Sequence, residues 1–101
     1  MEIRELAELT GRVIDRVVPR LEARGSAARY AESIRGANRA GEWQIALESL
    51  VGVLADEGIA VTADDHRDLT RLFDHFARSR SADVRSRAEL GRSDLDKVVV
   101  S

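Results

Sequence analysis

The sequence predicts an all-α fold, a compact bundle of four main helices with a short fifth toward the C-terminus. Three observations carry that prediction. Apolar residues recur at spacings of three and four in four separate stretches, which is the period of one helix face. Gly25, Ser26, Gly41, Gly58 and Thr62 punctuate the stretches, and these residue types start and stop helices. The chain has 101 residues, 44% hydrophobic and 34% charged, so it has the size of one domain and the balance of a globular chain. Tyr30, Trp43, Phe73 and Phe76 are its only aromatics, so Leu, Val, Ile and Ala must build most of the core.

The first helix is expected from Glu2 to about Arg24. Ile3, Leu6, Val13, Ile14, Val17 and Leu21 line one face, and Glu2 and Glu5 sit where the macrodipole favours anions. Pro19 lacks an N–H and crowds the carbonyl four residues back. A kink or break is therefore expected at 17–19, with a short turn ending at Gly25. Ser26 is the expected N-cap of the second helix, whose stripe is Ala27, Tyr30, Ala31, Ile34 and Ala37. Gly41 can take the left-handed conformation that stops it.

The third helix opens at Glu42 and carries Trp43, Ala46, Leu47, Leu50, Val51 and Leu54 on one stripe, with Gly58 at its end. "GIAV" then crosses over, its Ile59 and Val61 turned to the core. Thr62 begins the fourth helix, with Asp65 at the spacing of a capping box. Leu69, Leu72, Phe73 and Phe76 form its buried face. So short a connection predicts that the third and fourth helices are neighbours, packed roughly antiparallel. From about residue 79 the segment "RSRSADVRSRAELGRSDLDKVVVS" is polar and rich in Arg and Ser, and Val84, Ala88 and Leu90 allow a short fifth helix. The whole chain, 1–101, reads as a single helical domain. Its expected core is Ile3, Leu6, Val13, Val17, Tyr30, Ile34, Trp43, Leu47, Leu50, Leu54, Leu69, Leu72, Phe73 and Phe76. Trp43 lies on the buried stripe and reads as a core plug rather than a binding anchor.

Several chemistries find no support. There is no Cys, which excludes disulfides and thiolate metal sites. No apolar run approaches the ~20 residues of a membrane span. The start "MEIRELAEL" lacks the basic end and apolar block of a signal peptide, so a cytoplasmic location is expected. His66 and His75 are too far apart in sequence to share a face as an i, i+4 pair, and an acid-rich helix start explains "DDH" at 64–66 without a metal. No Ser-His-Asp order and no Gly-rich phosphate loop is present. Catalytic residues, metals and cofactors are accordingly not expected, and the chain does not read as an enzyme.

The charge distribution says more than the net −2. Residues 1–11 carry −2, residues 12–41 carry +4, residues 42–74 carry −6 and residues 75–101 carry +2. Within the acidic block, Asp56 and Glu57 fall at the C-terminal end of a helix, where the dipole disfavours them. They face Asp64, Asp65 and Asp68 across the short turn. Like charges gathered in this way suit a surface awaiting a basic partner. The candidate partner-binding set is therefore Asp56, Glu57, Asp64, Asp65 and Asp68, together with Glu48. A second reading uses the Arg-rich faces. Arg12, Arg16, Arg20 and Arg24 recur at i+4, and Arg29, Arg35 and Arg39 follow, as in a small nucleic-acid-binding or regulatory domain. It ranks second, because the acidic block can neutralise such a face, the pI is about 5.7, and no recognition helix stands out.

The run "ANRAGEWQIALESLVGVLADEGIAVTADDHRDLTRL" resembles the MafI-like immunity proteins of bacterial polymorphic toxin systems. The matching positions are Gly41-Glu42-Trp43, Ala46-Leu47, Leu50, Leu54 and Glu57, then Ile59, Val61, Thr62 and Asp65. They cover about a third of the chain. The family turn often has Pro where this chain has Ala60, and the long first helix and Arg-rich tail also depart from the pattern. The resemblance implies an antidote without catalytic residues that binds the C-terminal domain of a cognate toxin and blocks its active site or substrate path. It leaves the toxin's chemistry and the oligomeric state open.

Overall fold

Five α-helices account for most of the chain. The computed structural model describes residues 1–101. In it α1 spans Ile3–Glu22, α2 Ala31–Arg39, α3 Trp43–Glu57, α4 Ala63–Ala77 and α5 Ala82–Asp96, with a single 3-10 turn at Ala28–Tyr30 before α2. There is no sheet, only one isolated parallel bridge between Val61 and Val100. No helix is long and apolar enough to cross a membrane.

The punctuation residues behave as their chemistry requires. Gly41 and Gly58 are the only residues with positive φ, at 76° and 64°. Each lets the chain reverse into a double hydrogen bond at a helix end: Gly41 N–H to Asn38 and Glu42 N–H to Ala37, then Gly58 N–H to Ala55 and Ile59 N–H to Leu54. Thr62 Oγ1 accepts from Asp65 N–H at 3.1 Å and caps α4. Ser81 Oγ accepts from Val84 N–H and caps α5.

Three local expectations fail, each for a tertiary reason. The expected break at Pro19 is absent, since α1 runs on as one helix to Glu22. Val17, Val18 and Leu21 around it are fully buried, and packing of that face outweighs one lost hydrogen bond. Ser26 does not cap α2. The chain instead enters through the 3-10 turn, and the Ser26 hydroxyl donates to Glu57 at 3.0 Å. Ile3 is 73% exposed, because the first turn of α1 projects past the end of the core.

The packing order also differs from the expected hairpin. α4 packs on α5 and α1, α3 packs on α2, α5 and α1, and α3 and α4 scarcely touch. The two helices are therefore diagonal partners, with α5 on one side and α1 on the other. Contacts fix the directions: Gln44 meets the Val84 carbonyl, Glu48 meets Arg87 and Gly52 lies near Asp94, so α3 and α5 run parallel. α4 runs antiparallel to both. α5 is a full 15-residue helix rather than a short one. Its buried face is small, made of Ala88, Gly91 and Leu95. A Cβ on Gly91 would lie 2.3 Å from the Phe73 ring, so that glycine permits the close approach of α4 and α5. The core is one cluster of 25 buried residues, against which Tyr30 and Trp43 pack half-buried.

Candidate functional site

The acids flank the α3–α4 connection, residues 58–62, and two arginines of α1, Arg16 and Arg20, organise it together with Arg24 just past the helix end. Spaced four residues apart in sequence, the three reach three successive places. Arg16 binds Asp65 and Asp68 on α4, both at 2.8 Å. Arg20 donates to the Ala60 carbonyl at 2.9 Å. Arg24 donates to the Glu57 carbonyl at 3.0 Å, a cation at the negative end of α3 that α3 itself lacks. From the other side the C-terminal residues clamp Val61: its N–H donates to Val99, and its carbonyl accepts from Ser101 N–H, both at 2.9 Å. Val61 and Ile59 are buried beneath. The connection is thus held by side chains on one flank and backbone on the other.

The carboxylates differ sharply in their freedom. Asp65 is 4% exposed, and its side chain serves Arg16 rather than closing the capping box on Thr62. Asp68 shares the same guanidinium. Burial opposes the charge on Arg16, but the two carboxylates outweigh it and raise its pKa above the ordinary arginine value. Glu57 accepts from the neutral Ser26 hydroxyl. Asp64 pairs with Arg67 on its own helix, fully in solvent. Asp56 is exposed and makes no ion pair or hydrogen bond. Five of the six candidate residues, Asp56, Glu57, Asp64, Asp65 and Asp68, therefore lie at this end of the bundle. Glu48 does not join them. It lies on the middle of α3, two turns before Asp56, and pairs with Arg87 of α5 at 2.8 Å.

The arginines that neutralise this end were visible in the sequence as an i+4 series, but their direction was not. Of that series and its continuation, Arg16, Arg20, Arg24, Arg29, Arg35 and Arg39 all bond within the chain, and only Arg12 stays free. Arg35 grips Glu22 with two bonds of 2.8 Å and holds that carboxyl below its ordinary range. Of these residues Arg16, Arg35 and Arg39 bond to carboxylates, whereas Arg20 and Arg24 bond to backbone carbonyls and Arg29 to the Tyr30 hydroxyl.

No cluster of three or more His, Cys, Asp and Glu side chains is placed to hold a metal ion. The largest groove lies away from the acids, at the far end of α4. It has about 670 Å³ and is lined by the start of α1, the last turns of α4 and the start of α5. A smaller groove of about 290 Å³ runs between α3 and α5 beside Glu48, Arg87, Leu90 and Asp94.

Over residues 1–101 the chain matches DUF6189, a family of unknown function. It belongs to that family. No curated protein and no solved structure gives a significant match. The match spans all five helices.

Proposed function

We propose that this member of DUF6189 is an immunity protein that binds and neutralises a cognate bacterial toxin domain, acting as a non-catalytic inhibitor. The observation that carries the proposal is the braced α3–α4 connection. It keeps Asp56 and Asp64 exposed on either side of a turn that Arg16, Arg20, Arg24 and the C-terminal residues hold in place. A pre-organised surface loses little conformational entropy on binding, which favours tight inhibition. The resemblance of residues 37–72 to MafI-like immunity proteins supports the same reading and centres on the same turn.

The contact proposed here is a mixed-charge surface. The arginines of α1 offset much of the acidic block, so recognition rests on matching alternating charges. Asp65 and Asp68 act as supports that are bound to Arg16, and Asp56, Asp64 and the rim of Glu57 offer the contact atoms. The toxin's basic groups must pair with these carboxylates to offset their desolvation.

The test is co-expression with the C-terminal domain of a large secreted protein encoded immediately upstream. The expected result is restored growth and a complex that survives gel filtration. Asp56→Lys with Asp64→Lys should weaken that complex by more than about tenfold, roughly 1.4 kcal/mol, without altering the fold. Toxicity that persists in the presence of the intact protein, with no complex at micromolar concentration, would refute the function. An unchanged affinity in the double variant would refute the contact surface alone.

A further inference from the structure

The large groove at the far end of α4 differs in its chemistry from the rest of the surface. Most arginines are engaged within the fold by carboxylates, carbonyls or the Tyr30 ring. Arg4, Arg12, Arg71, Arg78 and Arg80 are not, and of these Arg71 and Arg78 line this groove together. Arg71 lies on α4 and Arg78 is the residue that caps its C-terminal end, seven residues and about 10 Å further on, with His75 between them. Ser79 closes the same wall. Its Oγ accepts from Ser81 N–H at 3.1 Å, which leaves the hydroxyl proton free to donate. Asp74 also lines the groove, but it is paired with Arg92. On the α1 wall stands Glu5, which has no ion-pair partner, and Phe76 contributes apolar surface.

We propose that this groove binds a small phosphate ester, with the phosphate held between Arg71 and Arg78 and the organic part lying toward Glu5. Two guanidiniums rooted two turns apart approach from different sides, which suits a tetrahedral oxyanion better than a flat carboxylate. Their two charges match a phosphate near −2. Ser79 and His75 supply further polar contacts. His75 stays neutral near pH 7, because burial and then the nearby amino terminus and Arg78 lower its pKa, so its ring can donate one hydrogen bond and accept another. Glu5 repels a second anion and accepts from a hydroxyl or an amine, so the ester's organic part carries such a group. The groove volume lies within the range of small-molecule sites.

The experiment is a titration of the folded protein followed by amide chemical shifts, using inorganic phosphate, adenosine 5′-monophosphate, adenosine and acetate as probes. Phosphate and the nucleotide are expected to shift the amides of residues 71–79 and 84, with adenosine and acetate much weaker. Arg71→Ala and Arg78→Ala should each weaken nucleotide binding by roughly tenfold or more. Arg12→Ala, at an unengaged arginine outside the groove, should leave it within about twofold. Equal losses in all three variants, shifts scattered over the surface, acetate binding as well as phosphate, or no binding at millimolar concentration would each overturn the proposal. None of these readouts involves a toxin, so the outcome is separate from that of the immunity reading.

Discussion

Two glycines in the middle of helices, Gly91 in α5 and Gly52 in α3, should respond to the same substitution with opposite signs. Replacing a helical glycine by alanine gains about 1 kcal/mol in backbone terms. At Gly52 the nearest outside atom to a new Cβ is Asp94 Oδ2 at 3.9 Å, an ordinary contact, so Gly52→Ala should keep most of that gain. At Gly91 the Cβ would lie 2.3, 2.8 and 2.9 Å from three atoms of the Phe73 ring. Carbon atoms rest at about 3.5–4 Å, so ring or helix must give way by about 1 Å. Phe73 is fully buried on all sides and has nowhere to move. Overpacking of this kind costs about 1–3 kcal/mol, and a clash with three ring atoms belongs at the upper end. After the propensity gain the net loss is about 2 kcal/mol, or roughly 10 °C in Tm for a domain this size.

Urea and thermal unfolding of both variants measure the difference directly. Phe73→Leu should be less damaging in the Gly91→Ala background than alone, with a coupling of about 1 kcal/mol in a double-mutant cycle. If Gly91→Ala proves as stabilising as Gly52→Ala, α5 does not sit on Phe73 in the way described, and the close approach of α4 and α5 is refuted.

Other outcomes follow from the charged contacts. Arg16→Ala strands the buried Asp65 carboxylate and should cost about 1–3 kcal/mol by urea unfolding, while Arg16→Lys should recover only part, since an ammonium cannot reproduce the forked contact with Asp65 and Asp68. Burial first, then the amino terminus and Arg78, lower the folded pKa of His75 below its ordinary 6.5. The unfolded chain therefore binds the proton more readily, and the stability tied to this group is complete above about pH 6.5 and declines as pH falls below it. His75→Gln should flatten that part of the stability profile between about pH 7 and pH 5, and an unchanged slope would show that the ring does not titrate differently in the two states.

What the sequence made legible was local. Gly41, Gly58 and Thr62 ended and began helices where their chemistry requires, because a left-handed glycine and a hydroxyl cap act within a few residues. The stripe of α4 was equally plain, because Leu69, Leu72 and Phe73 are large and fully buried. α5 was quiet for the opposite reason. It packs through Ala88, Gly91 and Leu95, of which only Leu95 is a large apolar residue, while the equally conspicuous Leu90 is 70% exposed. The expected adjacency of α3 and α4 failed because a short connection limits how far apart two helix ends can be and says nothing of their sides. A few extended residues can span a bundle diagonal at about 3.3 Å each. Pro19 failed as a break because buried neighbours on both sides hold the helix together.

The candidate site was legible as a list of residues and illegible as a charge. Summing along the chain gave −6 to residues 42–74, yet the counter-charges lie far back in sequence, on the face of α1 that meets Asp65, Asp68, Ala60 and Glu57. Once they are in place, the same acids that raised the question of a basic partner become partly structural, and only Asp56 and Asp64 keep their carboxylates fully in solvent. This changes what a partner must do under the proposed function. A uniformly acidic surface would attract almost any cation, with steep salt dependence. A braced surface of alternating charges rejects a partner whose register is wrong, because each misplaced guanidinium meets another guanidinium. Discrimination of that kind is what an antidote needs when related toxins circulate together. It also predicts that charge reversal at Asp56 and Asp64 will alter which toxin domains are bound more than how fast any of them is captured.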